Sequence, residues 1–337
     1  MSESRDPVEA RADGERDLYE VSTWEPRSLL DKLSVFVYGT GVSALRLFVV
    51  VLALVILGVQ VILGGLGAVA NPVIGTFTLL SAVPALGLAA YVWYADVTSS
   101  EPLELLVGTF ALGVLFAGFA GVVNTVVNVS LESLGLMFWG TQILYFFLVV
   151  GPVEETVKLL AVRLYAYRTP EFDAVVDGAV YGAMAGLGFA TIENAIYIAG
   201  QTQGVADTFN LVVTGTGITA VRALAGPGHV IYSAFAGYYL GLAKFNRDRA
   251  GPIVVKGLLI ATVVHALYNT LSGFVPGLVA GVTGIPWFVA FFGFVILYDG
   301  IFGLLLIRKI SRYRRAYHES TDEAPDGERA DMTEFDG

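Results

Sequence analysis

The chain has 337 residues, 55% of them hydrophobic, and its mean hydropathy of +0.68 excludes an ordinary soluble domain of this size. Its formal charge of -10 does not mark a basic partner: of 30 acidic residues, nine lie up to Asp31 and eight beyond Ser311, in polar tails that suit a high-salt cytoplasm. There is no basic stripe to follow nucleic acid and no cysteine, so nucleic-acid binding, disulfides and thiolate metal sites fall away.

Residues 1–42 read as an acidic, disordered tail. They hold no short apolar stretch with a small-residue cleavage site, so the first spanning helix is expected to act as its own signal. Residues 43–310 follow as a transmembrane domain, and 311–337 as a second acidic tail. The fold class expected is all-α, a polytopic membrane helical bundle of about eight spans. The spans run roughly 44–66, 73–95, 103–126, 136–166, 177–199, 210–243, 253–273 and 285–307. The fourth and sixth exceed one crossing, which points to tilt or to breaks at Gly151-Pro152 and Gly226-Pro227-Gly228.

Basic residues mark the orientation, because Lys and Arg in short loops stay on the cytoplasmic side. Arg163 and Arg168 end the fourth span, Lys244, Arg247, Arg249 and Lys256 join the sixth to the seventh, and Arg308, Lys309, Arg312, Arg314 and Arg315 follow the eighth. The connections near Asn71, Asn128, Gln201 and Val275 carry no Lys or Arg. Both termini are therefore expected in the cytoplasm of a multi-pass cell-membrane protein. Asn128-Val129-Ser130, on the opposite side, is a short glycan-acceptor triplet.

An ionised side chain at the bilayer centre costs about 2.5–3.5 kcal/mol on insertion scales, so each one needs a reason. Glu154, Glu155 and Lys158 lie in the fourth span, Glu193 in the fifth, Arg222 and His229 in the sixth, His265 in the seventh and Asp299 in the eighth. Counted from the basic end at about 1.5 Å per residue, Glu154, Glu193, His229 and His265 share one layer, roughly 18–24 Å deep.

Glu154 and Lys158, at i and i+4, are expected to neutralise each other and to leave Glu155 in surplus. Two adjacent carboxyls then suit general-base activation of water, the plain alternative being a helix–helix staple. The run from Gly178 to Gly188 reads as a close-packing helix face, which explains its glycines but not Glu193 and Asn194 after them. His229 has Ser233 one turn on, and His265 has Asn269. For Arg222 and Asp299 the expectation is mutual pairing or placement near the membrane boundary.

Glu154-Glu155-x-x-Lys158, Phe189-x-x-x-Glu193-Asn194, His229 and His265-x-x-x-Asn269, in order on four successive spans, resemble the motif set of the PrsW family of membrane proteases. The resemblance covers a core of about residues 136–270. It is similar also to the wider CAAX-protease-like enzymes, although Glu193 stands where those carry a His, which argues against prenyl-protein processing. The resemblance implies an intramembrane endopeptidase acting on a membrane-anchored protein substrate within the lipid bilayer, cutting near the outer face in the manner of a site-1 protease. Glu154, Glu155, Glu193, His229, His265 and Asn269 would be catalytic, with Lys158 and Asn194 in support. Water activated by Glu154 or Glu155 would attack the peptide carbonyl while His265 and Asn269 steady the oxyanion. Metal stays open: zinc on Glu154, Glu193, His229 and His265 is the candidate, with a metal-free route preferred. A proton-coupled transporter using the same Glu and His residues is the rival reading.

Overall fold

A computed structural model describes residues 71–96, 101–205 and 207–322, with isolated positions between 26 and 51. The expected first span, 44–66, and most of both tails lie outside the described residues. The described helical bundle belongs to one compact unit, Ile56–Gly337, while of the unit Met1–Val55 only scattered helical positions are described.

In chain order the bundle comprises α1 (Pro72–Tyr94), α2 (Leu103–Ser133), α3 (Trp139–Tyr145), a π-helical turn (Phe146–Val150), α4 (Gly151–Leu164), α5 (Val175–Thr202), α6 (Thr208–Lys244), α7 (Ala250–Thr283) and α8 (Trp287–Asp322). No strand occurs among the described residues. Ends are marked by local chemistry. Asn71 caps α1 by accepting from Val73 N at 3.0 Å, ahead of Pro72, whose missing N–H costs nothing in a first turn. Asp207 caps α6 by accepting from Phe209 N and Asn210 N. Gly284, at φ +75°, ends α7 with its N–H on Ala280 O.

Six described helices, α1, α2 and α5 to α8, are long and apolar enough to cross a membrane, and the chain is a multi-pass membrane protein. Leu79, Leu80, Val83 and Leu86 on α1 and Ile296, Leu297, Ile301 and Leu304 on α8 face outward, a surface that lipid tolerates and water does not.

α5 forms the centre: 83% of its apolar window is buried, against 28–39% in the other five. Its glycines make this possible. A Cβ on Gly178, Gly182 or Gly186 would collide with the carbonyl oxygen of Gly237, Ser233 or His229 on α6, and one on Gly188 with Phe110 O of α2. Small residues thus let three backbones meet, as the glycine run leads one to expect. The contact also aims α6 so that His229 points into the middle of the bundle.

Two expected breaks turn out differently. α6 runs unbroken through Gly226-Pro227-Gly228, since one missing N–H at Pro227 is tolerated where neighbouring helices bury the turn. Before Gly151-Pro152 the chain widens into the π-helical turn, where Gly151 N donates to Phe146 O five residues back. α8 continues beyond residue 311, into the segment expected as a tail, and is held there by Tyr313, whose hydroxyl accepts from Val175 N and whose ring meets Tyr238 edge-on.

Candidate active site

Four helices place the polar residues. α4 starts at Gly151-Pro152, and Gly151 lies close against the Thr262 carbonyl of α7, which brings the first turn of α4 beside His265. Glu154, Glu155 and Lys158 are buried there, as are His229 and His265. The layer expected from counting along the helices is one connected network.

Lys158 is its hub. Its Nζ lies 2.8 Å from Glu155 Oε1, 2.9 Å from His229 Nδ1 and 3.7 Å from Glu154 Oε2, and 4.2 Å from the Phe189 ring centroid. The i,i+4 pairing with Glu154 is therefore not the tight one. Glu155 takes the lysine at i+3 because it is drawn inward by His265 Nδ1, at 2.8 Å, and by the Ser233 hydroxyl, at 3.5 Å. The carboxylate in surplus is Glu154. Asn124 Nδ2 donates to its Oε1 at 3.0 Å, while Oε2 is buried without a hydrogen-bond partner, 3.8 Å from His265 Nε2.

The contacts assign the imidazole tautomers. An ammonium has only donors, so His229 Nδ1 accepts from Lys158 and His229 Nε2 carries the proton, which it gives to Glu193 Oε2 at 2.9 Å. His265 donates from Nδ1 to Glu155, which leaves its Nε2 facing Glu154.

Arg222 is corrected more sharply. Its guanidinium lies 2.6 Å from Glu193 Oε2 and donates from Nε to Asn194 Oδ1 at 2.8 Å, so it belongs to the site. Asp299 is not its partner; both Asp299 oxygens are buried without a hydrogen bond. Asn194 donates to Ser81 Oγ at 3.0 Å and accepts from Arg222 Nε, so it ties α1 and α6 to α5. Asn269 contributes to the wall of the cavity.

That cavity has a volume of about 520 Å³ and is lined by Glu154, Glu193, Arg222, His229, His265 and Asn269, with Tyr145, Tyr197, Tyr232 and Tyr268. Tyr232 stacks on the His265 ring, with centroids 5.2 Å apart and planes at 26°. Asn124 and Tyr145, whose hydroxyl donates to Asn124 O at 2.9 Å, were not legible as site residues. An uncharged Asn near the end of a long apolar span carries no motif; only its polarity at that depth hinted at a partner.

For metal, Glu154, His229 and His265 each offer a ligand atom within 4.8 Å of the others, a Glu-His-His set of the type that holds catalytic zinc. Glu154 Oε2, which makes no hydrogen bond, and His265 Nε2 fit the role, with Glu155 orienting His265 from behind, whereas His229, with Nδ1 on Lys158 and Nε2–H on Glu193, would have to release one of those contacts to ligate. Glu193, the fourth candidate, is instead engaged by Arg222 and His229. Three carboxyls face Lys158 and Arg222, so either a cation or a proton on Glu154 would balance the site.

Comparison with known proteins agrees with this geometry. The model of a family described as PrsW family intramembrane metalloprotease matches residues 101–298. The chain is 32% identical to Protease PrsW of Bacillus subtilis (strain 168) over 202 residues, covering 59% of this chain and 83% of that protein. It is 29% identical to Protease PrsW of Halalkalibacterium halodurans over 198 residues (58% and 83%), and 30% identical to that of Geobacillus kaustophilus over 198 residues (58% and 80%). No solved structure matches.

Proposed function

The chain belongs to the PrsW family and is a membrane protease, and on that premise we propose that it hydrolyses a peptide bond of a membrane-anchored protein, with Glu154 as the group that acts on water. The observation that carries this reading is the place of Glu154 on the wall of the 520 Å³ cavity beside His229 and His265, with its Oε2 buried, free of hydrogen bonds and 3.7 Å from Lys158 Nζ. Asn124 holds the other oxygen, so the carboxylate cannot turn its active edge away.

Water in the cavity gives a proton to Glu154 Oε2 as it attacks the scissile carbonyl, and the same proton passes to the leaving amine when the C–N bond breaks. Glu155 does not exchange protons with substrate; locked between Lys158 and His265, it fixes the imidazole and offsets the ammonium charge. Asn269 presents its amide to the cavity as donor for the developing oxyanion. Arg222 holds Glu193, and Glu193 in turn sets the His229 tautomer. A metal held by Glu154 and His265, and by His229 once it releases Lys158 or Glu193, would supply Lewis-acid activation of water and carbonyl.

The cavity extends along Thr125, Asn128 and Ser272, toward the helix ends away from the basic connections. With the basic ends and both termini read as cytoplasmic, substrate arrives from the outer face of the cell membrane, the side that a cut of the site-1 type would use.

The test is a membrane-proteome comparison of cells carrying the parent chain or Glu154→Gln at equal expression. Uncut single-span proteins should accumulate only with the variant; identical terminus profiles would refute the reading. Chelation sharpens it: cleavage lost and restored by zinc assigns Oε2 to metal binding, and cleavage that withstands chelation assigns it directly to water.

A further inference from the structure

We propose that the basic end of the bundle holds a site for the phosphate of an anionic membrane lipid, formed by Arg163, Arg168 and Arg247 around Lys244. α4 ends at Leu164 and α6 at Lys244, and the short 3₁₀ turns that follow, Ala166–Arg168 and Arg247–Arg249, bring four cationic side chains around a cavity of about 460 Å³. This cavity lies at the opposite end of α4 and α6 from the opening of the catalytic one.

Lys244 is fixed at its floor. The Nζ donates to Phe172 O at 2.6 Å and Tyr167 O at 3.0 Å, so Lys244 ties the turn after α4 to the end of α6. Arg163 lies over the Tyr167 ring, 4.3 Å from its centroid. Among the described residues none of the three arginines forms an ion pair with a carboxylate, and Asp248, on the same turn as Arg247, bonds none of them.

Helix termini do not account for this charge. Two C-terminal ends contribute about half a unit of negative charge each, roughly one in all, and Asp173, Asp177 and Glu101 act on Lys244, which leaves the three arginines against that one unit. The excess calls for an anion, and guanidinium groups match phosphate oxygens in pairs. The rim identifies the carrier. Leu164 and Phe245, both 49% exposed, directly follow the cavity-lining Arg163 and Lys244 in the chain and Leu160 lies one turn earlier on α4, so acyl chains would have exposed apolar side chains to lie along while the headgroup enters. Free phosphate would use the arginines but not this rim. Basic pockets between spans on the cytoplasmic side are a recurrent form of headgroup recognition.

The test uses native mass spectrometry of the full chain in mild detergent, titrated with phosphatidylglycerol or phosphatidylcholine. Phosphatidylglycerol should bind more tightly, and Arg168→Gln with Arg247→Gln should weaken it roughly ten- to thirtyfold. Arg314→Gln with Arg315→Gln, a cationic pair outside the cavity, should change little, and millimolar inorganic phosphate should not displace the lipid. Equal affinity for the two lipids, equal losses in both double variants, or displacement by inorganic phosphate would each overturn the lipid site.

Discussion

Two groups of buried carboxylates in this bundle show what separates a reactive arrangement from a structural one. Glu154, His229 and His265 gather ligand atoms within 4.8 Å, and so do Asp96, Glu101 and Asp177 near the basic end. In the first group the charges of Glu155 and Glu193 are met by Lys158 and Arg222, and Glu154 is left facing a cavity. In the second, Tyr181 donates to Glu101, and the backbone N–H groups of Asp173 and Ala174 donate to Asp177 at 2.7 and 2.6 Å. Burial pushes the Glu101 carboxyl up to about 9, so it keeps its proton at neutral pH. Both groups keep buried carboxylate oxygens without a hydrogen bond, Glu154 Oε2 in the first and Glu101 Oε1 and Asp177 Oδ1 in the second, so what sets the first apart is the cavity that Glu154, His229 and His265 line together.

The largest break in this contrast should come from Glu154→Gln, which keeps the Asn124 contact and removes the base. Cleavage of a co-expressed single-span reporter should fall by about 10²–10⁴-fold while the melting temperature in detergent changes little. Lys158→Met attacks the same centre through its scaffold. It strands Glu155 in the bundle interior, and loss of one partner of a buried pair costs about 3–5 kcal/mol, to be read as a lower unfolding midpoint together with lost activity. Gly182→Leu leaves every charge in place but drives α5 from α6 at Ser233 O, and overpacking of about 1–3 kcal/mol or more should lower stability and activity together.

The smallest effect sharpens the other side of the comparison. Since the folded state holds the Glu101 proton up to about pH 9 and the unfolded chain releases it in the ordinary carboxylate range, stability contributed by this group falls as pH rises through that window. Glu101→Gln, neutral throughout, should therefore raise the melting temperature by roughly 2–4 °C near pH 7.5 and leave it unchanged near pH 4. A uniform gain at both pH values would point to packing rather than titration.

Much of the site was legible because burying charge in lipid is costly enough to make each intramembrane Glu, Lys and His conspicuous. The common depth of Glu154, Glu193, His229 and His265 followed from rise per residue alone, and the glycine run of α5 announced its close neighbour. Pairing was not legible. Sequence spacing favoured Glu154 for Lys158, yet His265 from α7 and Ser233 from α6 drew Glu155 to it instead. Arg222 looked dispensable because its partner, Glu193, lies on another helix. Asn124 was silent because a neutral amide leaves no charge to explain.

By itself, then, the order of apolar spans and polar residues determined that this chain is a membrane bundle with a layer of Glu and His inside it, because hydrophobic length and the cost of buried charge act along the chain. Which carboxylate stands free, which imidazole nitrogen carries the proton and which arginine joins the site were decided only when α2, α4, α5, α6 and α7 packed together. Hydrogen bonds of 2.6–3.0 Å depend on distances between helices, and no spacing within one helix contains that information.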